Sequence, residues 1–190
     1  MGNAVGDINN DLWPDILSVD MLPQTTKEYK LSGAEYPYLT YQQYLKNNYA
    51  PQYMSNTLHL NQRNLFFSEV ADYYNLAATD WSWSALIADF NNDAFNDIFI
   101  ANGILGATNN LDFIKFISNK TYQDKINSGL EKEDLGLLDK LPKYKKQNKL
   151  FLNDQNSKFR DVFEAWETHP NSYSNGATYA DLNNNGKLDI

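Results

Sequence analysis

Apolar and polar residues alternate over Thr57, Leu58, His59 and Leu60, which predicts a strand with Leu58 and Leu60 on one face. Turn residues follow at Asn61–Asn64, and Leu65–Val70 predicts a second strand. Ser84–Ala88 then runs into a polar loop that Ile98–Ala101 leaves, giving two more strands. The same succession returns at Lys149–Leu152, Asn153–Asn156 and Phe159–Val162. Residues 56–98 align with 148–190 at a constant offset of 92, without a gap. Asn56/Asn148, Leu58/Leu150, Asn61/Asn153, Val70/Val162 and Ala85/Ala177 are identical pairs, and Tyr74/Trp166 and Trp81/Tyr173 keep aromatic character. The chain is a repeat protein.

Strand, turn, strand, connector, strand, polar loop and strand make four short strands per unit. Four-stranded units in series are the pattern of β-propeller blades. The expected fold is therefore all-β dominated, a partial β-propeller with two partly helical insertions. Residues 1–21 would end one blade, 56–102 would form a blade, and 148–190 a truncated one. Because propellers close through about 4–8 blades, residues 1–190 read as an internal fragment of one propeller domain. The insertions are 22–55, with a predicted helix near Tyr38–Asn48, and 103–147. In the second, Phe113, Phe116 and Ile117, then Leu130, Leu135, Leu138 and Leu141, have helical spacing broken near Gly129 and Gly136. Pro142 would end the last turn.

Hydrophobic content of 42% and aromatic content of 14% argue for a folded chain. No apolar run is long enough to span a membrane, and no signal peptide is visible. The lack of cysteine excludes disulfides and thiolate metal sites. A net charge of -8 opposes nucleic-acid binding. Lys143, Lys145, Lys146 and Lys149 read as a solvated face, or otherwise as a contact for an acidic partner.

Much of the acidity is local. Asp7, Asn9, Asp11 and Asp15 stand at positions 1, 3, 5 and 9 of a loop, as do Asp89, Asn91, Asp93 and Asp97, and Asp181, Asn183, Asn185 and Asp189. Hard cations such as Ca²⁺ take six to eight oxygen ligands, and a loop turning alternate side chains inward can supply most of them. Without a cation, each loop crowds like charges together, which is costly. An EF-hand would need Glu at position 12, but Ser18 and Ile100 stand there and strands flank the loops. A plainer reading is that Asp/Asn-rich turns cap strands through Asx hydrogen bonds; three loops in register before matching strands favour metal. His59 and His169 fall at unmatched repeat positions and suggest no zinc site. Trp81 and Trp83 could stack on a sugar ring, but their place within the repeat favours packing. Asn119 heads a formal glycosylation sequon.

Gly6-Asp7-Ile-Asn-Asn-Asp and Ala88-Asp89-Phe-Asn-Asn-Asp, each followed by Asp-Ile, resemble FG-GAP/VCBS-type repeats of the integrin-α-like β-propeller class. Within that class, Asp80-Trp81-Ser82-Trp83-Ser84, Ile98-Phe-Ile-Ala-Asn102-Gly103 and Ser18-Val-Asp20-Met-Leu-Pro23 resemble the bacterial proteins related to cartilage acidic protein, the ASPIC/UnbV group. The resemblance implies a calcium-stabilised propeller module, extracellular, at the cell surface or periplasmic, serving recognition or adhesion. Its partners would be a protein or glycan ligand and the remaining propeller blades of the full-length chain. The alternative is part of a propeller polysaccharide lyase or hydrolase whose catalytic residues lie outside 1–190.

The spacing assigns the ligands. Asp7, Asn9, Asp11 and Asp15 would offer side-chain oxygens and Trp13 its backbone carbonyl. Asp89, Asn91, Asp93, Phe95 and Asp97 repeat those roles, as do Asp181, Asn183, Asn185, Lys187 and Asp189. Up to three Ca²⁺ ions are expected. Position 6, often Gly in such loops, is Leu12 and Ala94, and Gly186 alone keeps the type. If position 6 requires positive φ, the first two loops carry strain of about 1 kcal/mol each. The third loop has one carboxylate fewer and should bind more weakly.

Overall fold

The computed structural model describes residues 1–33, 36–129, 136, 139–155, 158–162 and 170–190. They divide into two compact units. The first comprises Met1–Leu22, Ser55–Ile104 and Lys145–Ile190; the second comprises Pro23–Met54 and Leu105–Tyr144.

The first unit is two four-stranded antiparallel sheets. One joins β1 (Asn3–Gly6), β2 (Asp15–Ser18), β3 (Thr57–Asn61) and β4 (Phe67–Glu69) in that order. The other joins β5 (Ser82–Ala88), β6 (Asp97–Asn102), β7 (Lys149–Asn153) and β8 (Phe159–Asp161). The predicted strands are present, but their grouping differs. The four strands of 56–102 do not form one sheet: β3 and β4 complete the sheet of the first polar loop, and β5 and β6 open the next. The loop hairpin therefore starts each sheet. Its exit strand pairs with the strand returning from the insertion, Leu17 opposite Leu58 and Phe99 opposite Leu150. A linear repeat has no inherent starting point, so sequence periodicity alone could not fix this phase. The described residues form no closed propeller ring. The third loop is a hairpin closed by an Ala180–Asp189 bridge.

The core repeats with the chain. One face of the first sheet places Leu17, Leu58 and Leu60, with Val70 beside them, against Ala85, Ile98 and Ile100. Ile98 and Ile100 point one way from β6, and Phe99 and Ala101 the other, where they join Leu150, Val162, Leu152 and Ala177 in a second cluster. All six residues of β6 are buried because both of its faces are covered. Phe99, Leu150, Leu152, Val162 and Ala177 are the repeat counterparts of Leu17, Leu58, Leu60, Val70 and Ala85. The second cluster is the first one shifted by one repeat.

Close approach at the first core depends on a missing side chain. A Cβ built on Gly6 would lie 2.5 Å from Ile87 Cγ2. The two sheets thus meet where β1 runs beside β5.

In the second unit, α1 (Thr26–Leu31), α2 (Tyr38–Lys46), α3 (Leu111–Ile117) and α4 (Lys120–Ser128) are short. The predicted helices at Tyr38–Asn48 and around Phe113–Ile117 are present, and α1 and α4 add helix to the two insertions where no apolar spacing marks it. Their caps explain them. Thr25 Oγ1 accepts from Glu28 N–H at 3.3 Å, and Asn119 Oδ1 accepts from Thr121 N–H at 3.1 Å. The asparagine of the sequon is thus a helix cap. Gly129, with φ 94°, ends α4. Leu130, Leu135 and Leu138 lie outside the described residues, as do Asn156, Trp166 and His169.

Candidate functional site

The three polar loops have the same backbone. Position 4 is left-handed in each (Asn10 φ 57°, Asn92 φ 61°, Asn184 φ 58°), and so is position 6 (Leu12 φ 70°, Ala94 φ 72°, Gly186 φ 80°). Asparagine tolerates that region and leucine and alanine do not, so the strain expected at Leu12 and Ala94 is present.

Position 1 organises the turn. Asp7 accepts from Asp11 N–H at 3.1 Å and Leu12 N–H at 2.7 Å. Asp89 accepts from Asp93 and Ala94 at 3.0 and 2.8 Å, and Asp181 from Asn185 and Gly186 at 3.0 and 2.8 Å. Asn9 and Asn91, at position 3, accept from the same Asp11 and Asp93 N–H groups at 3.2 and 3.0 Å. At position 5, Asp11 accepts from Trp13 N–H, Asp93 from Phe95 N–H and Asn185 from Lys187 N–H, at 2.8–2.9 Å. Asx turns therefore build each loop. The Gly186 N–H bond, with those of its neighbours, holds the Asp181 carboxyl below its ordinary pKa.

Position 9 behaves differently. Asp15 and Asp97 are fully buried, and each uses both oxygens on backbone N–H groups. Asp15 takes Ile8 at 2.8 Å and Asn61 at 2.8 Å; Asp97 takes Phe90 at 3.0 Å and Asn153 at 2.9 Å. Asp189 accepts from Leu182 N–H at 3.1 Å. The buried aspartates fasten the loop to the far end of the third strand of their sheet. Burial pushes both carboxyls above their ordinary pKa, and the neighbouring position-5 and position-1 carboxylates push the same way, while the N–H bonds oppose.

The donor chemistry at positions 1, 3 and 5 fits a hard cation, since every donor is a carboxylate or amide oxygen. An N–H bond occupies one lone pair of an oxygen and leaves another for an ion. Among the described residues, no three Asp, Glu, His or Cys side chains converge closely enough to hold an ion as they stand. Positions 1 and 3 already bring oxygens to one point, since Asp7 and Asn9 share the Asp11 N–H and Asp89 and Asn91 share the Asp93 N–H. At position 9, as at position 1, each oxygen of Asp15 and Asp97 accepts one N–H bond and keeps a second lone pair; what sets Asp15 and Asp97 apart is their full burial.

Asparagines join the loops to one another. Asn10 Nδ2 donates to the Ala94 carbonyl at 3.0 Å, and Asn92 Nδ2 donates to the Gly186 carbonyl at 2.9 Å. Each bond runs from position 4 of one loop to position 6 of the next. Asn96 Nδ2 also reaches the Asp7 carbonyl at 2.7 Å, and Asn153 Nδ2 the Ile8 carbonyl at 2.9 Å. A second set works at the opposite end of the sheets. Asn56 Oδ1 accepts from Asp20 N–H at 2.7 Å, and Asn148 Oδ1 from Asn102 N–H at 2.9 Å. Asn56, Thr79, Ser82 and Asn102 are buried in one chain of hydrogen bonds. The identical Asn56/Asn148 and Asn61/Asn153 pairs marked these positions in sequence, and Asn recurs at position 4 of every loop.

The remaining candidates have structural roles. Trp81 is buried and stacks on Trp83 with centroids 6.4 Å apart, and Trp83 Nε1 donates to the Gly103 carbonyl at 2.6 Å. His59 sits in β3 between Ile16 and Glu69. Lys146 and Lys149 are not a solvated face: Lys146 pairs with Asp80 at 3.0 Å and Lys149 with Asp161 at 2.8 Å, both lysines largely covered. Comparison of the chain with protein-family models, curated proteins and solved structures finds no match.

Proposed function

We propose that the chain is a calcium-binding module of β-propeller type that serves recognition or adhesion at a cell surface, outside the cell or in the periplasm. Calcium is structural here rather than catalytic. The observation that carries this reading is the threefold recurrence of one loop, with left-handed residues at positions 4 and 6 and the same bonds at positions 1, 5 and 9. Asx capping alone accounts for one such turn. It does not account for the half-buried carboxylates placed together at positions 1 and 5 of the first two loops, Asp7 with Asp11 and Asp89 with Asp93, which repel one another in the absence of a cation. The shifted core supports propeller-type stacking, because each sheet presents to the next the surface its predecessor presented to it.

In this reading Asp7, Asn9 and Asp11, with the Trp13 carbonyl, hold the first ion, and Asp89, Asn91 and Asp93, with the Phe95 carbonyl, hold the second. Asp181, Asn183 and Asn185, with the Lys187 carbonyl, hold a weaker third. Asp15, Asp97 and Asp189 complete the three ligand sets from position 9 and also fix the loops to their strands. Trp13 sits in the first loop, so Tb³⁺ bound there would luminesce on indole excitation. The expected result is emission that Ca²⁺ displaces and that Asp7→Ala removes. No sensitised emission, or emission unaffected by Asp7→Ala, would refute metal binding at that loop.

A further inference from the structure

Residues 36–53 hold six tyrosines and a single charged side chain, Lys46, in a chain with 40 charged residues among 190. Tyr38–Lys46 is helical, yet no residue of α2 is buried. Tyr38 is 74% exposed, Tyr53 74%, Tyr49 57% and Tyr36 51%. Five of the six rings nonetheless contact one another. Tyr44 stacks between Tyr36 (centroids 5.9 Å apart, planes 19° apart) and Tyr49 (4.5 Å, 24°). Tyr41 hydrogen-bonds Tyr53 through their side chains.

We infer that this tyrosine array in the second unit is a binding platform for a neutral oligosaccharide. A pyranose ring offers an apolar C–H face and a rim of hydroxyls. Exposed tyrosine rings match the face by dispersion and shed poorly held water from it. Tyrosine hydroxyls and the exposed amides of Gln43 and Gln52 match the rim. Stacking fixes the rings beforehand, which lowers the ordering cost of binding. Charge selects the class. Lys46 offers the stretch a single charge contact to a uronic acid or sulfated glycan, too few to fix a polyanion, and the stretch lies in a chain of net charge -8 that repels polyanions. Aliphatic side chains, which dominate the dry centres of most protein interfaces, are represented among the strongly exposed residues here by Leu39. Trp81 and Trp83, the aromatic pair first suited to sugar stacking, are engaged elsewhere.

The inference rests on the recognition reading above but not on calcium. Its test is isothermal titration of the whole chain with neutral hexaoses of glucose, mannose and xylose in different linkages, alongside a hexagalacturonate. Binding by at least one neutral hexaose is expected, with Tyr38→Ala and Tyr53→Ala each weakening it about tenfold or more. Both residues are exposed, so the variants should keep the wild-type melting temperature. No neutral hexaose binding, preference for the hexagalacturonate, or unchanged affinity in both variants would overturn the inference. Binding only to a protein, or to a second copy of the chain in sedimentation, would overturn it as well. Melting with and without Ca²⁺ on the same samples separates the two readings: a retained calcium response without sugar binding defeats the ligand assignment alone.

Discussion

The side-chain amide of Asn92 donates to the backbone carbonyl of Gly186 at 2.9 Å, joining two loops 94 residues apart in sequence. The equivalent Asn10–Ala94 bond joins the preceding pair. Neighbouring loops are thus held by their own repeat positions. Asn92→Gly keeps the left-handed backbone and removes the donor. It should lower stability by about 0.5–1.5 kcal/mol, the usual net value of one hydrogen bond, measured by urea unfolding. No change would mean that the loops are held by their strands alone.

Strain at position 6 can be relieved. Leu12 and Ala94 have φ of 70° and 72°, and Leu12 is 91% exposed, so its side chain contributes little packing. Leu12→Gly and Ala94→Gly should each stabilise the chain by about 1 kcal/mol. Thermal melts of the single and double variants would show additive upward shifts. A downward shift would place these residues' value in something other than the backbone.

The buried aspartates set a pH dependence. Asp97→Asn places an NH₂ where two N–H groups need acceptors, and should cost about 1–3 kcal/mol in metal-free protein. The Asp97 carboxyl titrates above its ordinary 3.8 in the folded state because burial opposes its charge. The folded state therefore holds that proton more tightly than the unfolded state. Stability from this group is full below 3.8 and falls as pH rises through the raised pKa. In chelator, the stability gap between wild type and Asp97→Asn should narrow as pH increases from below 3.8 and then level off. A gap that widens over that range would mean the N–H bonds outweigh burial.

Much of this was legible in the sequence, and the limits have physical causes. The alternation at Thr57–Leu60 and Lys149–Leu152 placed strands correctly because one face of each is buried. The second strand was overextended: Arg63, Asn64 and Leu65 are all left-handed, which widens the turn and starts β4 at Phe67. Sheet membership was misphased because β3 pairs across an insertion with β2, a long-range contact that no local pattern encodes. The oxygen spacing found the loops. Spacing does not report burial, so the full burial of Asp15 and Asp97, against the half-burial of Asp7 and Asp89, is visible only in the structure. The recurrent asparagines were visible as identities, but their function depends on the neighbouring sheet.

Gly6 tests how the sheets meet. A Cβ there would come within 2.5 Å of Ile87 Cγ2. Gly6→Ala should destabilise the chain by about 1–3 kcal/mol through overpacking, and Ile87→Ala in the same chain should recover part of that loss. A double-mutant cycle with no coupling would place the two strands farther apart.

Calcium binding by the three loops is tested by calorimetric titration of Ca²⁺ into chelator-stripped protein, with melting recorded on the same samples. The predicted result is saturable binding at two stronger sites and one weaker site, a rise in melting temperature, and loss of one stronger site in Asp89→Ala. Absence of binding heat together with an unchanged melting temperature would contradict it, leaving the loops as Asx-capped turns.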